Sequence, residues 1–258
     1  SLRARRLHRR RRTVYTNLGS PVREWWDSQP DRNEHERVVR DIDVYGCLSS
    51  FALRSLRDDF EREGTLLPGG VRMTAFRPVA PRTPEPTVLY SGALDEPRKG
   101  VDVLLEAIAL AAEREPKIRL WLSGQGDAAR LLEAAPPRAR SRTEVLPIGS
   151  PDDLPERYSA AWVTALPSVG EAFGLVLVES LACGTPIVGC DHSSLPELVR
   201  PGIGALARPR DARSLATACL EAIELAAQGD VVDQCREAAR PYDWDAAVAP
   251  MVERAYLG

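Results

Sequence analysis

The sequence predicts an α/β protein built on parallel sheets covered by helices on both faces. Three observations carry that prediction. Short apolar runs alternate with helix-period patterns along most of the chain. One proline-rich stretch divides the alternation into a partial first unit and a full second one. A length of 258 residues suits one large domain or two ordinary ones.

Within the first unit, residues 1–78, seven arginines fall in positions 1–12 and an apolar run at 13–19 reads as a buried strand ending in a turn. Residues 33–40 have a helical pattern and 43–48 read as a strand, after which Ser49 or Ser50 can N-cap a helix running through Phe60. A short strand at 65–71 is broken by Pro68-Gly69-Gly70. Pro81, Pro84 and Pro86 mark 79–86 as a linker. The second unit, 87–240, is expected to place strands at 87–91, 118–123, 143–146, 163–166 and 186–190. Its helices are expected at 101–114, 128–134, 154–160, 174–182, 195–199, 212–227 and 231–239, and a last helix runs from about 243 to 256.

Composition excludes several function classes. With 44% hydrophobic and 28% charged residues the chain can bury a core, which argues against wholesale disorder. Even its most apolar segment, 173–190, is interrupted by Glu179, Ser180, Thr185 and Pro186, so no membrane span is expected. Five cysteines without a C-x-x-C, and three histidines (His8, His35, His192) without i, i+4 spacing, point to a reducing cytoplasm and no protein-held metal. A net charge of −3 argues against nucleic acid as a partner. The arginine-rich opening is compatible with a solvated face, a patch facing anionic phospholipid, or the edge of a cut domain. Only Lys99 and Lys117 are lysines.

Three strand ends in the second unit are suited to an anionic ligand, since ligands of open parallel sheets bind beyond the strands' carboxyl ends. After the first comes Gly92-Ala93-Leu94-Asp95-Glu96-Pro97-Arg98-Lys99-Gly100, a glycine-bounded turn that sets two cations before a helix N-terminus, the ingredients of a phosphate site. A surface turn with solvated charges is the plainer reading. After the second comes Gly124-Gln125-Gly126, a turn that lets backbone approach a ligand. The third, Ser168-Val169-Gly170-Glu171-Ala172-Phe173-Gly174-Leu175, offers the N–H groups of Phe173, Gly174 and Leu175 to a diphosphate. Glu171 and Glu179 can each accept two hydrogen bonds from a vicinal diol, and eight residues of helix span roughly 12 Å, room for a sugar, a diphosphate and a ribose between them. An ordinary exposed helix position for Glu179 is disfavoured by its apolar neighbours Val176, Leu177, Val178, Leu181 and Ala182.

The E-x7-E element Glu171 to Glu179, followed by Ala182-Cys183-Gly184-Thr185-Pro186, resembles glycosyltransferase family 4, as do Lys99-Gly100, Leu67-Pro68-Gly69-Gly70-Val71 and Phe76-Arg77-Pro78. The resemblance runs from about Thr13 to the end of the chain. It implies a GT-B fold: a complete C-terminal Rossmann-like domain, the back half of an N-terminal one, and a last segment, 241–258, crossing back to the first. It further implies retaining transfer of a hexosyl unit from a nucleotide diphosphate sugar, GDP-mannose or a UDP-hexose, to a sugar, lipid or small-molecule acceptor, without metal or other cofactor. On that resemblance Lys99 and Glu171 are catalytic, the first neutralising the diphosphate and the second orienting the sugar hydroxyls. Glu179 holds the ribose, while Gly149-Ser150-Pro151-Asp152 lies beside the base. Gly92, Arg98, Gly124, Gly170, Phe173, Gly174 and Leu175 complete the donor site.

Where the family carries arginine after the first-strand glycine this chain has Ala93, with Arg98 in the same turn. Only about 80 residues precede the linker, against the order of 150 a complete domain needs, so a fragment is expected, binding donor better than it turns over. The competing function is a non-catalytic nucleotide-sugar-binding module. Asp41-Ile42-Asp43 and Asp243-Trp244-Asp245 both spell the metal-binding D-x-D of other glycosyltransferases, but neither follows the expected donor-site strand. The turn from Asp95 to Gly100 resembles that of phosphatidylinositol mannosyltransferases, a short match that leaves peripheral contact with an anionic membrane open.

Overall fold

The computed structural model describes residues 13–27 and 30–257, so the arginine-rich opening and the readings attached to it lie outside the described residues. Strands β1 (Val14–Asn17), β2 (Val44–Cys47) and β3 (Thr65–Leu66) form a parallel sheet in that order, with Val14 opposite Val44 and Gly46 opposite Thr65. Helices α1 (Arg23–Asp27) and α2 (Arg32–Asp41) connect β1 to β2, and α3 (Ser50–Phe60) connects β2 to β3. Ser49 starts α3 by accepting a hydrogen bond from the Ala52 N–H at 3.1 Å, and Glu61 ends it in the left-handed region at φ 51°. Trp26, Val39, Tyr45, Cys47, Ala52 and Leu56 are buried between these helices and the sheet.

The second sheet holds β4 (Thr87–Ser91), β5 (Arg119–Ser123), β6 (Thr143–Val145), β7 (Val163–Leu166), β8 (Ile187–Cys190) and β9 (Gly204–Ala207), all parallel, in the order β6-β5-β4-β7-β8-β9. Its helices are α4 (Val101–Ala111), α5 (Ala128–Ala134), α6 (Pro137–Arg140), α7 (Leu154–Ala160), α8 (Leu175–Ala182), α9 (Ala212–Ala226) and α10 (Val231–Ala239), and α11 (Ala249–Leu257) follows. Every residue of β4, β7 and β8 is buried, as a sheet covered on both faces requires.

Several elements differ from the sequence expectation. Residues 195–199 give a single tight turn, Leu195–Glu197, in which the Leu198 and Val199 N–H groups both return to Leu195 O at 3.0 and 3.2 Å, and Pro201 lets it run no further. The strand expected over 65–71 stops at Leu66 ahead of Pro68, and Val71 instead bridges to Asp243. The last helix opens with a π-helical turn, Trp244–Val248, before α11 begins. β9 was not expected: Gly-Ala-Leu-Ala lacks β-branched residues, and the strand forms because β8 offers it a four-residue register. The short α1 and α6 were likewise not expected, having too few residues to show a period.

Close contacts join the two sheets. The Val71 N–H donates to Tyr242 O at 2.9 Å and the Trp244 N–H to Val71 O at 2.9 Å. A Cβ on Gly69 would sit 2.8 Å from the Phe173 ring, and one on Gly70 2.9 Å from Trp244. Ala255 of α11 is buried with Val44 and Leu67 of the first unit. The Glu197 carboxylate accepts from the N–H groups of Ser50 at 2.9 Å and Phe51 at 2.6 Å, supplying negative charge to the first turn of α3. Glu197→Ala leaves those donors without their charged partner and is expected to lower unfolding free energy by about 1–2 kcal/mol, measured by urea denaturation.

Candidate functional site

Strand order reverses at β4, whose neighbours are β5 on one side and β7 on the other, so a crevice opens beyond Ser91 and Leu166. The loops entering it are stitched together by backbone. Gly92 donates to Ser123 O at 2.9 Å, Leu94 to Gln125 O at 2.8 Å, and Val169 to Arg98 O at 2.8 Å. Glycine is needed where they meet: at φ 155° Gly124 abuts Gly92 O so closely that a Cβ would lie 1.7 Å from it, and at φ 68° Gly100 approaches Pro167 O.

These turns bring Arg98, Lys99 and Glu171 together. Lys99 Nζ lies 2.6 Å and Arg98 Nη1 3.3 Å from the same oxygen, Glu171 Oε1, and Glu96 holds the other side of Arg98 at 2.8 Å. The Lys99 and Glu171 side chains are only 15% and 12% exposed, which strengthens their attraction relative to a surface pair. Loop 192–194 supports Glu171 from behind: Ser194 Oγ donates to Glu171 O at 2.8 Å, and the Gly170 N–H donates to Ser193 Oγ at 3.1 Å. Next to the cluster, burial pushes the Tyr90 hydroxyl well above its ordinary pKa, and the charge of Glu171 adds to the shift.

Helix α8 begins at Gly174, held at φ 96°. Leu175 is exposed there, whereas the Phe173 ring is buried edge-on against Tyr242 at 5.4 Å, so Phe173 has only its backbone to offer a ligand. Glu179 projects from the same helix, half-buried, and its Oε2 accepts from the Tyr158 hydroxyl at 2.7 Å. Burial raises the Glu179 carboxyl above its ordinary pKa, and the Tyr158 hydrogen bond pulls it partly back down.

Beyond β6, Gly149 and Pro151 belong to a tight turn closed by a capping box between Ser150 and Asp153. A Cβ on Gly149 would collide with Asp153 and Arg157. Arg157 fixes this corner, donating to Ser123 Oγ at 2.7 Å and to Pro147 O at 2.8 Å. Arg157, Tyr158 and the 192–194 loop were not identified from sequence; the one available signal was a polar pair within the helix leading to β7. Trp25 was also missed, and its ring lies 3.1 Å from where a Gly170 Cβ would sit. The two D-x-D sequences serve local structure: Asp43 accepts from Thr13 Oγ1 at 2.6 Å and Asp243 from the Asp245 N–H at 3.2 Å.

This crevice lies in a chain that belongs to the group 1 glycosyltransferases, whose family model, glycosyl transferases group 1, matches residues 85–224, more than half of its length. A phosphatidyl-myo-inositol mannosyltransferase of Mycobacterium tuberculosis H37Rv is 33% identical over 240 residues, covering 87% of this chain and 61% of the relative. A D-inositol 3-phosphate glycosyltransferase of Nocardiopsis dassonvillei is 33% identical over 208 residues, 67% of this chain and 46% of that one. The chain thus spans about three fifths or less of these relatives' length. The fold is GT-B: sucrose-phosphate synthase from Thermosynechococcus elongatus superposes with TM-score 0.78 at 26% identity, over 93% of this chain and 66% of that one. Anabaena HepE in complex with UDP-glucose superposes with TM-score 0.77 at 19% identity, over 95% and 71%.

The raised Glu179 carboxyl gives stability a definite pH dependence. The folded state binds this proton at higher pH than the unfolded chain does, so stability falls as pH rises through the folded-state titration. Glu179→Gln keeps an oxygen for Tyr158 and removes the buried charge. Its melting temperature at pH 7 is expected on the order of 2–4 °C above wild type, with the gap closing as pH falls below the ordinary glutamate range, by scanning calorimetry.

Proposed function

We propose that this chain binds a nucleotide diphosphate sugar, GDP-mannose or a UDP-hexose, in the crevice beyond β4 and β7, and serves its retaining transfer to a hydroxyl acceptor without metal. The observation that carries the reading is the cluster of Arg98, Lys99 and Glu171 where the strand order reverses, beside the start of α8. Each of the two cations faces a carboxylate, Arg98 that of Glu96 and Lys99 that of Glu171. A diphosphate entering between Lys99, Arg98 and the N–H groups of Phe173, Gly174 and Leu175 gives the cations a second anionic partner. Glu171 Oε2 is then available to sugar hydroxyls and Glu179 to the ribose.

In the transition state the sugar becomes oxocarbenium-like while negative charge builds on the departing diphosphate. Lys99 and the helix end are already in place for that charge, so their attraction increases as the bond breaks, with little reorganisation. The acceptor, a sugar, a lipid-linked sugar or cyclitol, or a small molecule, is read as entering between the end of β1 and loop 168–171. Asn17 Nδ2, Ser20 Oγ and Ser168 Oγ are buried there without hydrogen-bond partners among the described residues, and Trp25 bounds the loop at Gly170. The relatives named for phosphatidyl-myo-inositol and inositol 3-phosphate support an acceptor of this polyhydroxylated kind. A cytoplasmic setting, supported by the five free, buried cysteines, belongs to the same reading. Among the described residues no helix is long and apolar enough to cross a membrane.

Calorimetric titration with GDP- and UDP-sugars in the presence of a chelator tests this reading. One base is expected to bind, and Lys99→Ala and Glu171→Ala are each expected to weaken it by about 10- to 100-fold, the worth of a hydrogen bond to a charged group. Binding that vanishes with the chelator, or that neither variant weakens, overturns it.

A further inference from the structure

Two consecutive serines from the loop after β8 pin the backbone on either side of the Glu171 side chain. The Gly170 N–H donates to Ser193 Oγ at 3.1 Å, with His192 Nδ1 3.3 Å from the same nitrogen, and Ser194 Oγ donates to Glu171 O at 2.8 Å. Ser193 Oγ and His192 Nδ1 lie 2.5 Å apart. These contacts close when the Ser193 hydroxyl donates to Nδ1, since the Gly170 N–H also approaches Nδ1, and an Oγ lone pair is then aimed at Gly170. Lys99 and Arg98 hold the carboxylate end of Glu171 from the opposite wall.

Ser193 is not in a relaxed conformation. Its φ is 56°, in the left-handed region that side chains disfavour and glycine adopts freely. It is the second residue of a tight turn in which the Leu195 N–H returns to His192 O at 3.4 Å, a position where positive φ calls for glycine. Of the other described non-glycine residues with positive φ, Glu61 ends α3 and Arg210 lies in an exposed turn. Glycine would satisfy the turn at Ser193 as well. What serine adds is a hydroxyl, and that hydroxyl meets the residue immediately before Glu171. Gly170, at φ 84° beside the Trp25 ring, has no side chain of its own to fix its peptide, so its direction is set from outside. We propose that Ser193 is a positioning residue for the sugar: through Gly170 its hydroxyl sets the direction in which Glu171 enters the crevice, and the strained turn is the cost of placing it there. The inference rests on the reading of Glu171 as the ligand of the sugar hydroxyls.

The test titrates the full chain and its Ser193→Gly, Ser193→Ala and Glu171→Gln variants calorimetrically with UDP, UDP-glucose, GDP and GDP-mannose. Ser193→Gly suits the turn and is expected to melt on the order of 2 °C above Ser193→Ala, which keeps the strain. With the base that binds, both Ser193 variants are expected to lose on the order of tenfold in affinity for the nucleotide sugar, the effect of one hydrogen bond, and less than about twofold for the nucleoside diphosphate. Equal losses in two variants of unequal stability assign the effect to the hydroxyl. Wild-type affinity for the nucleotide sugar in Ser193→Gly overturns the inference, as does a Ser193→Gly loss that is no greater for the sugar than for the diphosphate. In both cases Glu171 remains the sugar ligand if Glu171→Gln weakens the nucleotide sugar more than the diphosphate. Equal losses for the two ligands in Glu171→Gln, or a wild type that binds neither, overturn the reading of Glu171 and the inference with it.

Discussion

Everything at the site depends on β4 and β7 lying side by side while the connections that follow them depart in opposite directions. A covering helix cannot start on both sides of such a junction and close it, so backbone ends and loop side chains face the opening. The chain fills this position with paired opposites. Lys99 and Arg98 come from the loop after β4 and Glu171 from the loop after β7, so the ion pair spans the junction and ties its two walls together. Lys99 left unpaired would be costly to hold at its low exposure, whereas paired with Glu171 its charge is compensated.

Backbone geometry sets how narrow the opening is. A side chain on Gly124 would run into Gly92 O and force the β4 and β5 loops apart, and one on Gly100 would do the same between the loops of β4 and β7. Behind the loops a layer of neutral hydrogen bonds through Ser180, Thr164, Thr185 and Tyr158 fixes α8 against β7. The charged groups therefore sit on a layer whose hydroxyls at Ser180, Thr164, Thr185 and Tyr158 are satisfied, the condition under which a buried network adds rigidity.

The sheet and its helices were legible because fully buried parallel strands such as 87–91 and 163–166 are continuous apolar runs, which local pattern reveals. β9 was not, since an edge strand of Gly, Ala and Leu owes its form to its neighbour and not to its own residues. In the site, Lys99, Glu171 and Glu179 stood out because charges next to glycine turns or inside apolar helices need a reason to be there. The partners that hold them did not: Tyr158 lies 21 residues from Glu179 and Ser194 lies 23 from Glu171, separations over which sequence carries no geometric signal. Sequence thus marks groups whose chemistry is unusual for their surroundings, while ordinary residues made important by packing emerge only in three dimensions.

The burial of Ala255 with Val44 and Leu67 has a consequence for how the chain reaches this state. Segments about two hundred residues apart must meet before the small sheet has its full hydrophobic cover, and contacts of such long range form slowly. On the ribosome the three early strands emerge well before α11 does, so they wait partly uncovered while the second sheet, whose neighbours lie closer in sequence, assembles. Among the described residues the small sheet thus waits longest for its packing partner, which α11 supplies.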